Sequence, residues 1–369
     1  MHDEKVVHLA LKASEALVRM LADYGVNHVF GVCGDTSLDL YEAFSAQSRI
    51  RHVLTRDERS ASYMADVYAR VSGKVGVCEG PSGGGALYLA PGVAEADKSC
   101  IALIAINTDV PLNMSGRYTL TELDQKALFD PLCKWSAVVV QSERLPAILR
   151  EAFKRASSGV PGAVHLALPM DILKQRVPDK EVYSQPEFGM FPASPPEPSF
   201  SRLQRVAQLI LKSEFPVILA GGGVLTAKAW KELTSLAETA GIPVATSISG
   251  KGSISETHPF SIGVVGSNGG VLYRHEIVRN ADLVLILGCR ADSTTTEDWS
   301  LFDNKTKIVQ IDIDPNVIGL NCPVELGVVG DVKLSLEILN KILAGNCLLY
   351  TSDAADEGLG VDLGGRRII

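Results

Sequence analysis

Residues 51–96 read RHVLTRDERSASYMADVYARVSGKVGVCEGPSGGGALYLAPGVAEA. RHVLT (51–55) is a short strand-like run. From 58 to 71, Ala61, Met64, Ala65 and Tyr68 recur at helical spacing, predicting a helix that opens with Glu58. VGVCEG (75–80) reads as a second strand, and a second helix follows the glycines, from about 85 to 96. Strands that alternate with helices imply a mostly parallel sheet covered on both faces.

The same alternation extends outward. Ala16, Leu17, Met20 and Leu21 mark a helix that stops near Gly25, followed by a strand over 26–32, and IALIAI (101–106) is a further strand. After Pro169 the composition changes, and 185–200, with its FPASPPEPS run, is too rich in proline for helix or central strand and reads as a linker. Beyond it come a helix (201–212), a strand (216–220), a glycine turn, a helix (226–240), strands at 243–247, 282–288 and 307–313, and a helix from 333 to about 343. The expected organisation is two doubly wound, mostly parallel α/β domains, over 1–184 and 201–346.

Composition narrows the function. The 369 residues are 46% hydrophobic and 21% charged, which is ordinary for a globular chain of this length. A formal charge of −8 disfavours nucleic acid and anionic membrane as partners, because both repel an acidic protein. No run reaches the ~18 apolar residues of a membrane span. The start, MHDEKVVHLALKASEALVRML, lacks the apolar core and cleavage site of a secretory signal, and the seven cysteines form no CxxC pair. A soluble cytoplasmic protein with small-molecule partners is expected.

The segment from 347 to 369, CLLYTSDAADEGLGVDLGGRRII, has no amphipathic pattern. It reads as a disordered terminus or, more sharply, as the translation of a transposase-type sequencing adapter, with natural sequence ending near Asn346.

Two features carry chemistry on their own residue types. A carboxylate opening a helix, as Glu58 does, complements the helix macrodipole and needs no further role; delivered by a strand end, it is also placed to act on a ligand. The SGGG run (82–85) permits a tight turn, or lets backbone approach a ligand closely.

The pattern of a glutamate, then AxxxADxYAR, a strand and SGxG before a helix resembles the pyrimidine-binding domain of thiamine-diphosphate enzymes of the acetolactate synthase, pyruvate oxidase and benzoylformate decarboxylase superfamily. It is carried by Glu58, Ala61, Ala65, Asp66, Tyr68, Ala69, Arg70, Gly73, Ser82, Gly83 and Gly85. VFGVCGD (29–35) is similar to the family's VFGxPG turn, with Cys33 for proline. The resemblance implies that Glu58 hydrogen-bonds the cofactor's aminopyrimidine and favours its imino tautomer, whose imine deprotonates the thiazolium carbon. Val32, Cys33, Gly34, Ser82, Gly83, Gly84, Asn107 and Thr108 are the implied cofactor-lining residues.

PVILAGGGVLTAKAWKELTSLAETAGIPVATS, with LGCRADS and IDIDPNVIGLN beyond it, resembles the family's central domain, of deoxyhypusine-synthase-like NAD/FAD-binding type. Gly221, Gly222 and Gly223 would offer amides to a phosphate, and Arg290 and Asp312 are candidate FAD contacts. Against flavin stand Thr294 and Asn268, where the family pattern has arginine and histidine. Val67, Gly84, Tyr88 and Ala102 also depart from the pattern, and Thr121 replaces a glutamine of acetolactate synthases.

The resemblance implies a transferase or lyase of 2-oxo acids in branched-chain amino acid biosynthesis, using thiamine diphosphate and Mg2+ in a homodimer or homotetramer. The family binds diphosphate and Mg2+ with a GDG...N motif of a third domain; none follows Lys333, so no metal ligand is assigned and the chain is expected to be a front fragment. The alternatives are an acyl or 2-oxo-acid decarboxylase of the same superfamily and a nucleotide-binding regulatory module without catalysis.

Overall fold

The computed structural model describes residues 10–269 and 272–356, with side chains as far as 345. The chain divides after Pro195 into two compact units.

The first unit opens with β1 (Ala10–Lys12), which pairs antiparallel with β8 (Arg176–Pro178), Leu11 opposite Val177. Between them run α1 (Ala13–Asp23), β2 (His28–Gly31), α2 (Leu38–Ser45), β3 (Arg51–Leu54), α3 (Glu58–Ser72), β4 (Gly76–Gly80), α4 (Gly84–Lys98) and β5 (Leu103–Asp109). There follow α5 (Gln125–Phe129), β6 (Trp135–Val138), α6 (Leu145–Ser157), β7 (Ala163–Pro169) and α7 (Met170–Leu173). Six of the strands make one parallel sheet in the order β3-β2-β4-β5-β7-β6. Every residue of β7 and all but the last of β5 are buried, as a sheet covered on both faces requires.

The decisive segment is built from local chemistry. Asp57 caps α3 by accepting the Ser60 N–H at 2.7 Å, and Gly73 closes the helix at φ 70° in the left-handed region. Ala61, Ala65 and Ala69 face β4 with no exposure, and their size lets the backbones meet: a Cβ on Gly76 would lie 2.3 Å from the Ala65 carbonyl oxygen. Gly92 does the same for α4 on α3, since a Cβ there would lie 2.3 Å from Ser62 Oγ.

Chain order then positions a crevice. From β2 the chain goes outward to β3, then returns to the other side of β2 with β4 and continues to β5. The connections leaving β2 and β4 therefore diverge, and open α/β sheets bind ligands beyond the strand ends at such a switch point.

The second unit contains α8 (Phe200–Lys212), β9 (Pro216–Ala220), α9 (Gly222–Thr226), α10 (Trp230–Ala240), β10 (Val244–Thr246), β11 (Ser261–Val264), α11 (Leu272–Arg279), β12 (Leu283–Leu287), α12 (Ser293–Thr296), β13 (Lys307–Asp312), β14 (Leu326–Val329) and α13 (Val332–Asp356). Its sheet, β11-β10-β9-β12-β13-β14, is parallel throughout, with its own switch point between β9 and β12.

Several boundaries differ from the sequence reading. The expected helix over 226–240 is two, α9 and α10, separated by Lys228 at φ 55°. Part of the proline-rich segment packs: Phe191 and Ala193 are buried, and the Phe191 N–H donates to the Gly73 carbonyl at 3.0 Å. Proline removes a backbone donor without preventing the apolar residues between prolines from finding a core. The last helix runs past 343 to Asp356, because no proline follows and the single Gly345 does not stop it; residues 357–369 lie outside the described residues.

The close approach of α3 to β4 generates a prediction. Gly76→Val should lower the stability of the first unit by about 1–3 kcal/mol through overpacking, read as a lower urea midpoint. Gly84→Ala, where a Cβ meets nothing within 4 Å, should leave that midpoint within the range of ordinary surface substitutions.

Candidate functional site

The switch-point crevice of the first unit collects the sequence-derived residues. Glu58, the first residue of α3, is 9% exposed and lies under the end of β4. A Cβ on Gly80 would come within 3.2 Å of Glu58 Cγ, and one on Gly85 within 3.2 Å of Glu58 Oε1. Glycine at 85 is required first by Pro81, which a Cβ there would meet at 2.6 Å, and glycine at 80 and 85 together lets backbone pass close to this carboxylate.

The turns around it are tied together. Gly34 packs on Pro81, where a Cβ would meet Pro81 Cβ at 2.5 Å, so the loop carrying Val32, Cys33 and Gly34 lies against the turn after β4. Thr36 Oγ1 accepts the Ser82 N–H at 3.1 Å and lies 2.8 Å from Thr108 Oγ1. Ser82 Oγ in turn lies 2.7 Å from Thr121 Oγ1, and Gly83, at φ 63°, passes so close beneath the Thr121 carbonyl that a side chain would collide. Four segments, after β2, after β4, at the end of β5 and around 121, are therefore joined by hydroxyl contacts.

Asn107 and Thr108 are not past a strand tip, as their sequence position suggested, but inside β5, which continues to Asp109 opposite Pro169. Both are fully buried, so they do not serve solvation. Asn107 Nδ2 donates to the Gly80 carbonyl at 3.1 Å, while its Oδ1 is buried without a partner. An acceptor left so is free to take a donor from water or from a ligand. A flat ring bearing an amino group beside a nitrogen matches the chemistry of the groups gathered here: a carboxylate, two neighbouring glycines and an unpaired amide oxygen. A Cβ on Gly84 would meet nothing within 4 Å, so the space beside this residue is open.

Sequence reasoning missed Thr36, Tyr41, His52 and Glu79. Glu79 is fully buried at the end of β4; Tyr41 Oη donates to its Oε1 at 2.5 Å and His52 Nε2 lies 3.0 Å from the same oxygen. Removal from water pushes the Glu79 carboxyl above the usual range. A glutamate inside the apolar run VGVCEG was the available signal; its partners come from other elements and had none.

In the second unit, the glycine turn serves packing first. Gly221 N–H donates to the Leu287 carbonyl and Gly223 N–H to Gly288, both at 2.9 Å, and a Cβ on Gly223 would lie 2.7 Å from Gly288 Cα. The amides of Gly221 and Gly223 are thus committed to the end of β12 rather than offered to a phosphate, leaving Gly222, and the helix they open has only five residues. Arg290 follows β12 and Asp312 ends β13, bringing opposite charges to adjacent strand ends. Asp312 accepts the Asp314 N–H at 2.9 Å. Among the described residues no three His, Cys, Asp or Glu side chains converge as a metal site would require, and no helix is long and apolar enough to cross a membrane.

Burial pushes the Asp312 carboxyl up to about 6. A folded-state value above the unfolded one contributes stability that is complete below about pH 4 and is lost as pH rises through about 6. Chemical denaturation of the second unit should therefore show stability falling across that window. Asp312→Asn should remove this component, and an unchanged profile would contradict it.

Comparison with known proteins agrees with the geometry. Residues 11–128 match the family described as thiamine pyrophosphate enzyme, N-terminal TPP binding domain, and residues 203–339 match thiamine pyrophosphate enzyme, central domain. The chain is 37% identical over 345 residues to a probable acetolactate synthase large subunit of Methanocaldococcus jannaschii, covering 93% of this chain and 57% of that protein. It is 33% identical over 348 residues to an acetolactate synthase large subunit of Mycobacterium tuberculosis, covering 94% and 56%. With a chloroplastic acetolactate synthase of Arabidopsis thaliana it shares 37% identity over 333 residues, covering 90% and 49%. The chain spans about half the length of these relatives. Since the unit carrying Glu58 and the unit carrying the glycine turn match the two domains in their order, the chain belongs to the thiamine pyrophosphate enzymes.

Proposed function

We propose that this chain is the front part of a longer enzyme that uses thiamine diphosphate to act on 2-oxo acids, of the acetolactate synthase type. One observation carries the reading: a buried carboxylate, Glu58, stands beside Gly80, Gly85 and the Asn107 side chain, whose Oδ1 has no protein partner, at the switch point of a domain of TPP-binding type. When bound, thiamine diphosphate supplies a nucleophilic carbon and an electron sink for loss of carbon dioxide.

The chain's own residues supply the rest. Glu58 holds a proton at a ring nitrogen of the pyrimidine, Asn107 Oδ1 accepts from its amino group, and Gly80 and Gly85 let the ring lie against backbone. The Thr36–Ser82–Thr121 contacts hold the turns around it and restrict water. Mg2+ and the diphosphate are assigned by the family pattern to a further domain of the longer enzyme. FAD, as a cofactor of the second unit, would lie at the ends of β9 and β12 beside Arg290 and Asp312. A decarboxylase or lyase of the same superfamily is the second reading, favoured by Thr121 at the segment seated on Ser82, where acetolactate synthases carry glutamine.

A homodimer or homotetramer is part of the proposal. Tyr63, Met64, Val67 and Val71 of α3 and Leu87 and Tyr88 of the adjoining α4 are exposed, an apolar stripe running from the Glu58 end of both helices. Apolar area of this kind marks an interaction surface.

Glu58→Gln in the complete enzyme tests the reading. Exchange of the cofactor's thiazolium proton in deuterated water should slow by roughly a hundredfold to ten-thousandfold, the usual scale for a general acid or base. Asp57→Asn is the control, because asparagine caps a helix about as well as aspartate. Exchange at the parent rate in Glu58→Gln would sink the assignment.

A further inference from the structure

The second unit carries a groove that the proposed chemistry leaves unused. The connection from β10 to β11 contains no helix, and it runs beside α10, where His258 Nε2 lies 3.1 Å from Glu238 Oε1. Between the two lies a groove of about 520 Å³, the size of a small-molecule site. Trp230, Lys231, Thr234 and Glu238 line it from α10, and Ser253 and Ile254 from the connection. Neither the glycine turn nor Arg290 or Asp312 borders it, so it is separate from the crevice at the ends of β9 and β12.

Helical spacing puts the α10 residues on one face, since Trp230, Thr234 and Glu238 follow at intervals of four and Lys231 adjoins the first. Their contributions differ. Trp230 is 42% exposed and offers an aromatic surface that a second ring can cover. Lys231 is exposed and makes no ion pair among the described residues. Thr234 Oγ1 is already committed, donating to the Trp230 carbonyl at 2.8 Å. On the other wall Ser253 and Ile254 are buried, and Ser253 Oγ has no hydrogen-bond partner, so it is free to bond water or a ligand. At the far end the Phe260 N–H donates to His258 Nδ1 at 3.2 Å, which leaves the ring proton on Nε2, facing Glu238. Lys231 and Glu238 are two helical turns apart, about 10 Å along the axis.

We propose that this groove binds a small aromatic monocarboxylate. The ring covers the Trp230 indole and Ile254, the carboxylate pairs with Lys231 Nζ, and a polar ring substituent meets Ser253 Oγ. An aromatic ring is favoured over an aliphatic chain because ring pairs gain attraction beyond the area they bury. Charge sets the rest. Lys231 accepts one anionic group, while Glu238 at the other end repels a second, so a monoanion is preferred to a dianion. A free amino acid is a poor match, because its ammonium and carboxylate sit on one carbon whereas the groove's opposite charges are about 10 Å apart. The site lies wholly within the second unit and does not depend on the role of Glu58.

The test titrates 4-hydroxybenzoate into the chain itself and follows the tryptophan indole N–H groups by NMR. The chain has three tryptophans, Trp135, Trp230 and Trp299, and the resonance lost in Trp230→Phe is that of Trp230. The Trp230 resonance should move in the millimolar range usual for so small a ligand, while the other two stay in place. 4-Hydroxybenzyl alcohol, which lacks the charge, and acetate, which lacks the ring, should each bind on the order of tenfold more weakly. The same loss is expected for 4-hydroxybenzoate with Lys231→Gln, the scale of one charge-assisted hydrogen bond. Ser253→Ala should weaken binding roughly threefold, as for a neutral hydrogen bond. If Ser253→Ala fails to fold, Lys231→Gln decides the matter, because it changes only an exposed side chain. An unmoved Trp230 resonance, equal movement of all three resonances, or parent affinity in Lys231→Gln overturns the assignment.

Discussion

The close contact of α3 with β4 is the constraint on which the first unit depends. Ala65 and Ala69 lie over Gly76 of β4, and Gly92 of α4 lies over Ser62, so α3 approaches both the strand and the next helix to a distance that a larger side chain at either glycine would prevent. This contact sets the height at which α3 begins and therefore where Glu58 stands relative to the end of β4. One turn higher or lower, the carboxylate would face solvent or the apolar layer under the sheet. Small residues along this segment are as much a part of the site as the glutamate they position.

A parallel sheet supplies the rest of the geometry. Because β2 and β4 are neighbours whose connections diverge, the turns that follow them meet at the switch point, where open α/β sheets bind ligands. The protein gathers glycine, hydroxyls and the Glu58 carboxyl there. Buried polar groups of this number are tolerated when they are paired with one another, as Thr36, Ser82, Thr108 and Thr121 are. The second unit repeats the topology with a different use of glycine. There Gly221, Gly223 and Gly288 bring two strand ends into backbone contact, which leaves fewer amides for an anion.

The sequence by itself determined the class of fold and pointed to the candidate site around Glu58. Strand and helix periods alternate so regularly through 51–96 and 201–312 that two parallel α/β units follow from local pattern. Glu58, Gly83 and Gly85 were legible because they are close in sequence and share one strand-turn-helix segment. Tertiary structure alone decided what gathers around them. The pairing of β5 through Asp109 buries Asn107 and Thr108, and strand order rather than sequence distance brings Tyr41, His52 and Glu79 together. The same holds for the glycine turn, whose amides looked available until β12 was placed beside it. The physical reason is common to all of these cases: periodicity reports which face of an element is buried, while the partner that a buried polar group finds depends on which strand lies next to it in the sheet.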